Sequence, residues 1–296
     1  MAKPWLAVYV YLLAACAFES QKATFDDKVH TVIAPYGSGA VVEIALHDLE
    51  TGRAHLIRAD EPIHPASTMK VPVMLEAYRQ AEAGLIKLDD QLEIKNQFAS
   101  LVDGSPYTLD AADDSETTLY KRIGGKAAVR ELVLLMITES SNLATNILIE
   151  KLGAVNVTNF MKKLDAGDLK VLRGVEDDKA FAAGMNNVGT ARGLMTILTR
   201  LAEGTAVSKT ADAAMMDVLR AQKFNDGIPA GLPKGTVVAH KTGSITNVYH
   251  DAAVVEPPGR KPFVLVVMTR GIEADHAARK VVAEIARAAY EEVVGR

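Results

Sequence analysis

Three short motifs in a fixed order constrain this chain of 296 residues more than anything else in it: Ser67-Thr68-Met69-Lys70, Ser140-Ser141-Asn142 and Lys241-Thr242-Gly243. In the first, a hydroxyl and an amine three residues apart fall on one face of a helix, within reach of each other. Pro72 has no N–H to donate and is best tolerated in a first turn, which puts the helix start at about Ser67 or Thr68. Free backbone N–H groups and the positive end of the helix dipole then favour a developing anion at Ser67, as an acyl-transferring serine requires. Lys70 would be its base once the amine is depressed, either by burial or by a second cation such as Lys241. Alone, such a string more often marks a capped, solvated helix start; the two later motifs single it out.

The elements around the motifs follow from periodicity. A first helix is expected from Thr24 to Pro35, a strand from Ala40 to Leu49, a turn at Glu50-Thr51-Gly52-Arg53 and a return strand from Ala54 to Ala59. The helix carrying Lys70 should run from Thr68 to Ala83, closed by Gly84. From Leu85 to Lys126 the pattern is irregular and holds Asp110, Asp113, Asp114 and Glu116, which read as a solvated excursion rather than a metal site. Val129, Leu132, Val133, Met136 and Ile137 form a buried helix stripe that delivers Ser140 at its end. A second helix follows from Asn142, as N-cap, to Leu152. Asp165 to Val188 reads as a long loop, and a loop of that length inside a compact domain is usually functional. Helices return at Thr190 to Glu203 and Ser208 to Lys223, and a strand from Thr236 leads into Lys241, Thr242, Gly243 and Ser244. Two more strands, Tyr249 to Glu256 and Phe263 to Arg270, precede a helix from Asp275 to Val293.

This order of hairpin, helical middle, strand meander and terminal helix predicts an α/β (α+β) fold. One antiparallel sheet flanked by the N- and C-terminal helices would be built from 23–72 and 224–296, with an all-α domain inserted at 73–223. The cleft between the two is the expected site. At 49% hydrophobic and 24% charged residues, the chain has ample core for one or two closely joined domains. Its net charge of -4 and the lack of a basic stripe leave no footprint for nucleic acid. The seven histidines include no metal-binding pair at helical spacing, and there is no phosphate loop or dinucleotide fingerprint, so no metal or cofactor is expected. His250-Asp251 does not read as part of a catalytic triad, because strand neighbours face opposite sides; His240 should likewise point away from Lys241.

Residues 1–16 are expected to be an export signal, since Lys3 precedes an apolar run, Trp5 to Ala15, too short to span a bilayer. Leu13-Ala14-Ala15-Cys16 resembles a bacterial lipobox, in which Cys16, the only cysteine, is lipidated and becomes the first mature residue. Ordinary cleavage after Ala15-Cys16-Ala17 is the competing reading. Either way the protein would be exported, to the periplasm, with a lipid anchor as its one tie to the membrane.

With its motifs in this order, the stretch from about Ala23 to Arg296 resembles the class A β-lactamases and penicillin-recognising serine enzymes. Their S-x-x-K, S-D-N and K-T-G set is matched except that Ser141 stands where the family has Asp. The resemblance implies that Ser67 forms an acyl-enzyme and that Lys70 is its base or proton relay. It implies that Ser140 passes a proton to the leaving nitrogen and that Asn142 holds the substrate's side-chain amide. Lys241 and Thr242, with Gly243 beside them, would meet a substrate carboxylate, and the backbone N–H groups of Ser67 and Ser244 would form the oxyanion hole. In Arg173-Gly174-Val175-Glu176-Asp177, Glu176 falls where the family keeps the glutamate that frees the enzyme. Ala180 stands where the family has a helping asparagine, and Asn187 replaces the aspartate that pairs with the loop arginine, so Glu176 is either a deacylation base or a structural residue. The implied activity is hydrolysis of β-lactams by a monomer. The alternatives are a D-alanyl-D-alanine peptidase, amidase or esterase on the same scaffold, and a sensor or cell-wall-binding module that is acylated once.

Overall fold

The computed structural model describes residues 23–273 and 275–295, so the signal segment and Cys16 lie outside the described residues. Thr24 opens α1 (Phe25–Ile33) through a reciprocal capping box with Asp27. The hairpin β1 (Val41–Asp48) and β2 (Ala54–Ile57) follows, and the chain then leaves the sheet. It passes through a 3₁₀ turn at Ala66–Met69, α2 (Lys70–Glu82) and the short strands β3 (Gln91–Glu93), β4 (Phe98–Ala99), β5 (Pro106–Tyr107) and β6 (Lys126–Ala128). The helices α3 (Val129–Thr138), α4 (Asn142–Leu152), α5 (Ala154–Lys163), α6 (Asp178–Ala182), α7 (Ala191–Glu203) and α8 (Lys209–Arg220) complete the helical middle. The chain returns as β7 (Val237–Ile245), β8 (Val248–Glu256) and β9 (Phe263–Arg270), and α9 (Asp275–Val294) closes it.

The main sheet has five strands in the order β2-β1-β9-β8-β7, with every neighbouring pair antiparallel. β9 is central and apolar on both faces because both are covered: Phe263, Leu265 and Val267 join the core under α1 and α9, while Val264, Val266 and Met268 join the core of the helical middle. Each of these side chains is fully buried and contributes about 1.5–3 kcal/mol, which makes the sheet a stiff platform for whatever its edge carries. That edge is β7. The period of two puts Ala239, Lys241 and Gly243 on the face toward the helices and His240 on the other, where it meets Asp251 of β8.

Several boundaries differ from expectation for local reasons. The α-helix starts at Lys70 rather than Thr68, because Ala66–Met69 winds as a 3₁₀ turn; Pro72 still falls in the first α-helical turn, where a missing N–H is harmless. Asn142 is not the N-cap of α4. Ser141 is, its Oγ accepting from Ala144 N at 3.2 Å, which releases the Asn142 amide for other partners. Residues 165–188 are not a bare loop, since α6 lies within them, capped by Asp177, and Lys170 and Val188 exchange backbone hydrogen bonds across the base. α5 escapes the sequence reading because it begins one residue after α4 ends, at Gly153, which by itself signals a stop. The acidic stretch is solvated only in part: Asp114 and Glu116 are buried. Among the described residues no cluster of side chains is placed to hold a metal ion, and no helix is long and apolar enough to cross a membrane.

Candidate active site

Ser67 sits half-buried on the 3₁₀ turn between β2 and α2. Thr68 Oγ1 donates to Pro65 O at 2.6 Å, and Ala66 N donates to His64 Nδ1 at 3.1 Å, so the turn is tied down on both sides of the serine. β7 runs hard against it. A Cβ on Gly243 would lie 2.8 Å from Ser67 N and 3.0 Å from Thr68 N, and since both are backbone atoms only glycine fits there. The backbone N–H of Ser67 therefore lies beside the edge of β7 that carries Ser244.

Lys70 is fully buried and donates to Ser140 O at 2.7 Å, Ser140 Oγ at 3.2 Å and Asn142 Oδ1 at 2.8 Å. No hydrogen bond joins its amine to Ser67 Oγ among the described residues. Lys241, also fully buried, donates to Ser140 Oγ at 3.1 Å and to Thr242 O at 2.8 Å. Burial brings Lys70 down to about 7 against the opposing pull of the Asp114 and Glu176 carboxylates. Burial also drives Lys241 well below the usual lysine range, and the charge of Lys70 adds to it. Of the two causes the sequence left open for Lys70, burial is the one at work. Because both amines point at Ser140 Oγ, its lone pairs are taken and its own proton is left to be given away.

Asn142 joins this group to the loop: its Oδ1 accepts from Lys70, and its Nδ2 donates to Glu176 Oε1 at 2.7 Å. Glu176 Oε2 accepts from Asp110 N at 3.3 Å, and burial raises its carboxyl above the ordinary range. The segment carrying Glu176 is clamped from below by Asn146 of α4, whose side chain accepts from Val175 N at 2.7 Å and donates to Val175 O at 3.0 Å. Asp177 pins it to the neighbouring hairpin through Leu101 N and Ser100 Oγ, both at 2.8 Å. Asn187 holds loop backbone, accepting from Leu172 N and Arg173 N. The Arg173 guanidinium is held by Met185 O, Gly174 O and Asn186 Oδ1 instead of a carboxylate. Ala180 is fully buried and offers no side-chain polar atom near Glu176.

Backbone strain gathers at the same place. Ala66, Ser140 and Glu176 all have positive φ, at 45°, 58° and 60°, a conformation that costs a non-glycine residue about 1–3 kcal/mol and persists only where its surroundings impose it. Ala66 and Glu176 line a cleft of about 420 Å³ whose walls also include Ser67, Asn142, Ser244, Phe181 and Ile245. Of the histidines, His64 lines the cleft, while His250 accepts from Thr269 N and bonds His64 O, and burial pushes it down to about 4, so it is a neutral structural group. Sequence reading missed Asn146, although a polar residue in the buried face of α4 was a usable signal. It also missed Asp114, whose partners on α4 lie far along the chain.

Comparison with known proteins agrees with this geometry. The profile of the beta-lactamase enzyme family matches residues 24–293. Beta-lactamase CTX-M-8 of Citrobacter amalonaticus is 29% identical over 255 residues, which cover 84% of this chain and 83% of the relative. The crystal structure of a beta-lactamase from Sphaerobacter thermophilus aligns with a TM-score of 0.77 at 25% identity, over 92% of this chain and 97% of that one. PBP-A shares the fold, with a TM-score of 0.78 at 23% identity over 91% of this chain and 97% of its own. The chain belongs to the beta-lactamase enzyme family and is a serine hydrolase of the class A type.

Proposed function

We propose that this enzyme opens β-lactams through an acyl-enzyme on Ser67 and regenerates itself by hydrolysis. The observation that carries the reading is the convergence of Lys70 and Lys241 on Ser140 Oγ beside the Ser67 turn. A lysine at about 7 is partly neutral at physiological pH, so Lys70 can accept the proton that Ser67 gives up as its Oγ bonds to the ring carbonyl carbon. The carbonyl oxygen becomes an anion beside the N–H groups of Ser67 and Ser244. As the ring C–N bond breaks, Ser140 passes its proton to the nitrogen and is reprotonated from the lysine pair. Lys241 and Thr242 take the substrate carboxylate. In the second half, Glu176 removes a proton from the water that attacks the ester, and as the ester C–O bond breaks that proton is returned to Ser67 Oγ, which restores both groups.

Ala180 favours a second reading, in which release is slow and the natural substrate is a D-alanyl-D-alanine peptide or another amide or ester. In the related fold, a variant of PBP-A has been solved as an acyl-enzyme complex with penicillin G. Intact-mass spectrometry of the purified protein mixed with benzylpenicillin separates the two. A transient adduct is expected from a β-lactamase, a persistent one supports the second reading, and no adduct defeats both. Glu176→Gln keeps the acceptor for Asn142 Nδ2 but not the base; it is expected to acylate within a few-fold of wild type and to release its adduct at least about 10²-fold more slowly. Wild-type turnover in that variant would assign deacylation to another group.

Export and lipidation through Cys16 complete the proposal, supported by the apolar run that ends in Leu13-Ala14-Ala15-Cys16. Cells labelled with a radioactive fatty acid are expected to mark the wild-type protein but not Cys16→Ser; equal labelling would remove the lipoprotein reading.

A further inference from the structure

We propose that Asp114 is a positioning residue for acylation, a buried carboxylate that grips the Ser140-Ser141-Asn142 corner from behind and places a fixed negative charge on the Lys70 side of the cleft. The proposal rests on the acyl-serine reading above. Asp114 is 5% exposed, and its Oδ2 accepts from Asn142 N at 2.8 Å, Leu143 N at 3.0 Å and Tyr120 OH at 3.0 Å. Its Oδ1 accepts from Glu116 N at 3.1 Å. With Ser141 Oγ taking Ala144 N, the first three N–H groups of α4 all end on side chains. Four donors converge on the Asp114 carboxylate at a helix N-terminus, a place that favours negative charge. Ser141 has one oxygen where the family motif has a carboxylate, and it serves one N–H; Asp114, from the irregular stretch before β6, supplies the carboxylate for the other two.

The consequence reaches the reacting groups through Asn142 and Ser140. Asp114 fixes the backbone of Asn142, whose side chain bridges Lys70 and Glu176. It also braces the strained corner at Ser140, held on its other side by the bond from Ser141 N to Leu135 O at 3.2 Å. The charged groups facing Lys70 are Lys241 from β7, Glu176 from the loop and Asp114, and the Asp114 carboxylate is the stronger of the two that favour the protonated amine. It thus keeps Lys70 basic enough to accept a proton near neutral pH where burial alone would leave it a weaker base.

The test is the rate of adduct formation with benzylpenicillin from about pH 5 to pH 9, in wild type and in Asp114→Asn, with thermal melts to confirm folding. Wild-type acylation should rise with pH as Lys70 loses its proton. In Asp114→Asn the plateau is expected to fall about tenfold or more, and the midpoint of the rise to move about one unit lower, because a neutral side chain no longer favours the ammonium. Asp114→Glu, which keeps the charge but displaces it, should lose rate with the midpoint near the wild-type value. Adding Ser141→Asp to Asp114→Asn should restore part of the rate. A slowed Asp114→Asn enzyme with an unmoved midpoint would reduce Asp114 to a helix cap, and an unchanged rate would remove it from the machinery; either overturns the proposal. A wild-type protein that forms no adduct at any pH would instead defeat the acyl-serine reading, and the proposal with it.

Discussion

Replacing Ser67 by alanine is expected to abolish both the penicillin adduct and turnover, a loss of about 10⁴-fold or more. The neighbouring hydroxyls cannot substitute. Thr68 Oγ1 is buried and bonded to Pro65 O, and Ser140 Oγ already receives both lysines. The change should be nearly silent for the fold, within about 0.5 kcal/mol, because Ser67 is half-buried and its side chain caps nothing in the turn. Intact mass and a thermal melt on the same sample read the two effects separately. An adduct that still forms on the alanine variant would place the nucleophile elsewhere and end the reading.

Lys70→Met should be the second largest loss. The variant keeps a long apolar stem in a fully buried position but removes the amine, and acylation is expected to slow by about 10²- to 10⁴-fold. The pH profile carries the sharper sign. In wild type the active form is the neutral amine, so the rate rises about tenfold per unit while pH is below the Lys70 value of about 7, then levels. In the variant that limb should vanish. Stability is expected to change little, because two effects oppose: Ser140 O and Asn142 Oδ1 each lose a donor at about 1–3 kcal/mol, while a desolvated amine is taken out of the core. A variant with the wild-type limb intact would show that another group sets it.

The motif residues were legible in the chain because each is a short-range pattern. Ser67 and Lys70 are three residues apart, Ser140 to Asn142 mark a break between helices, and Lys241 to Ser244 end a run with strand alternation. The main elements were legible for the same reason, since apolar spacing reports which face is covered; β9 reads as a continuous apolar run because it is covered on both. Local capping was harder. Asn142 and Ser141 are both good N-caps by type, and the choice of Ser141 depends on what else the Asn142 amide bonds, namely Lys70 and Glu176.

The sequence by itself therefore determined the order of the main elements and the antiparallel sheet and singled out the candidate side chains, because those follow from spacing and residue type within a few turns of chain. Only the tertiary structure decided the rest. Burial, a property of the whole packed molecule, brings Lys70 to about 7, and the charges of Asp114 and Glu176 limit how far it falls. The glycine requirement at Gly243 arises where β7 meets the Ser67 turn, and the strain at Ala66, Ser140 and Glu176 is held by contacts from distant segments. Asp114 reads as one more solvated acid until α4 folds onto it and presents two backbone N–H groups. Its partners on α4 are 28 and 29 residues away, beyond any local pattern, and three-dimensional packing alone can bring them together.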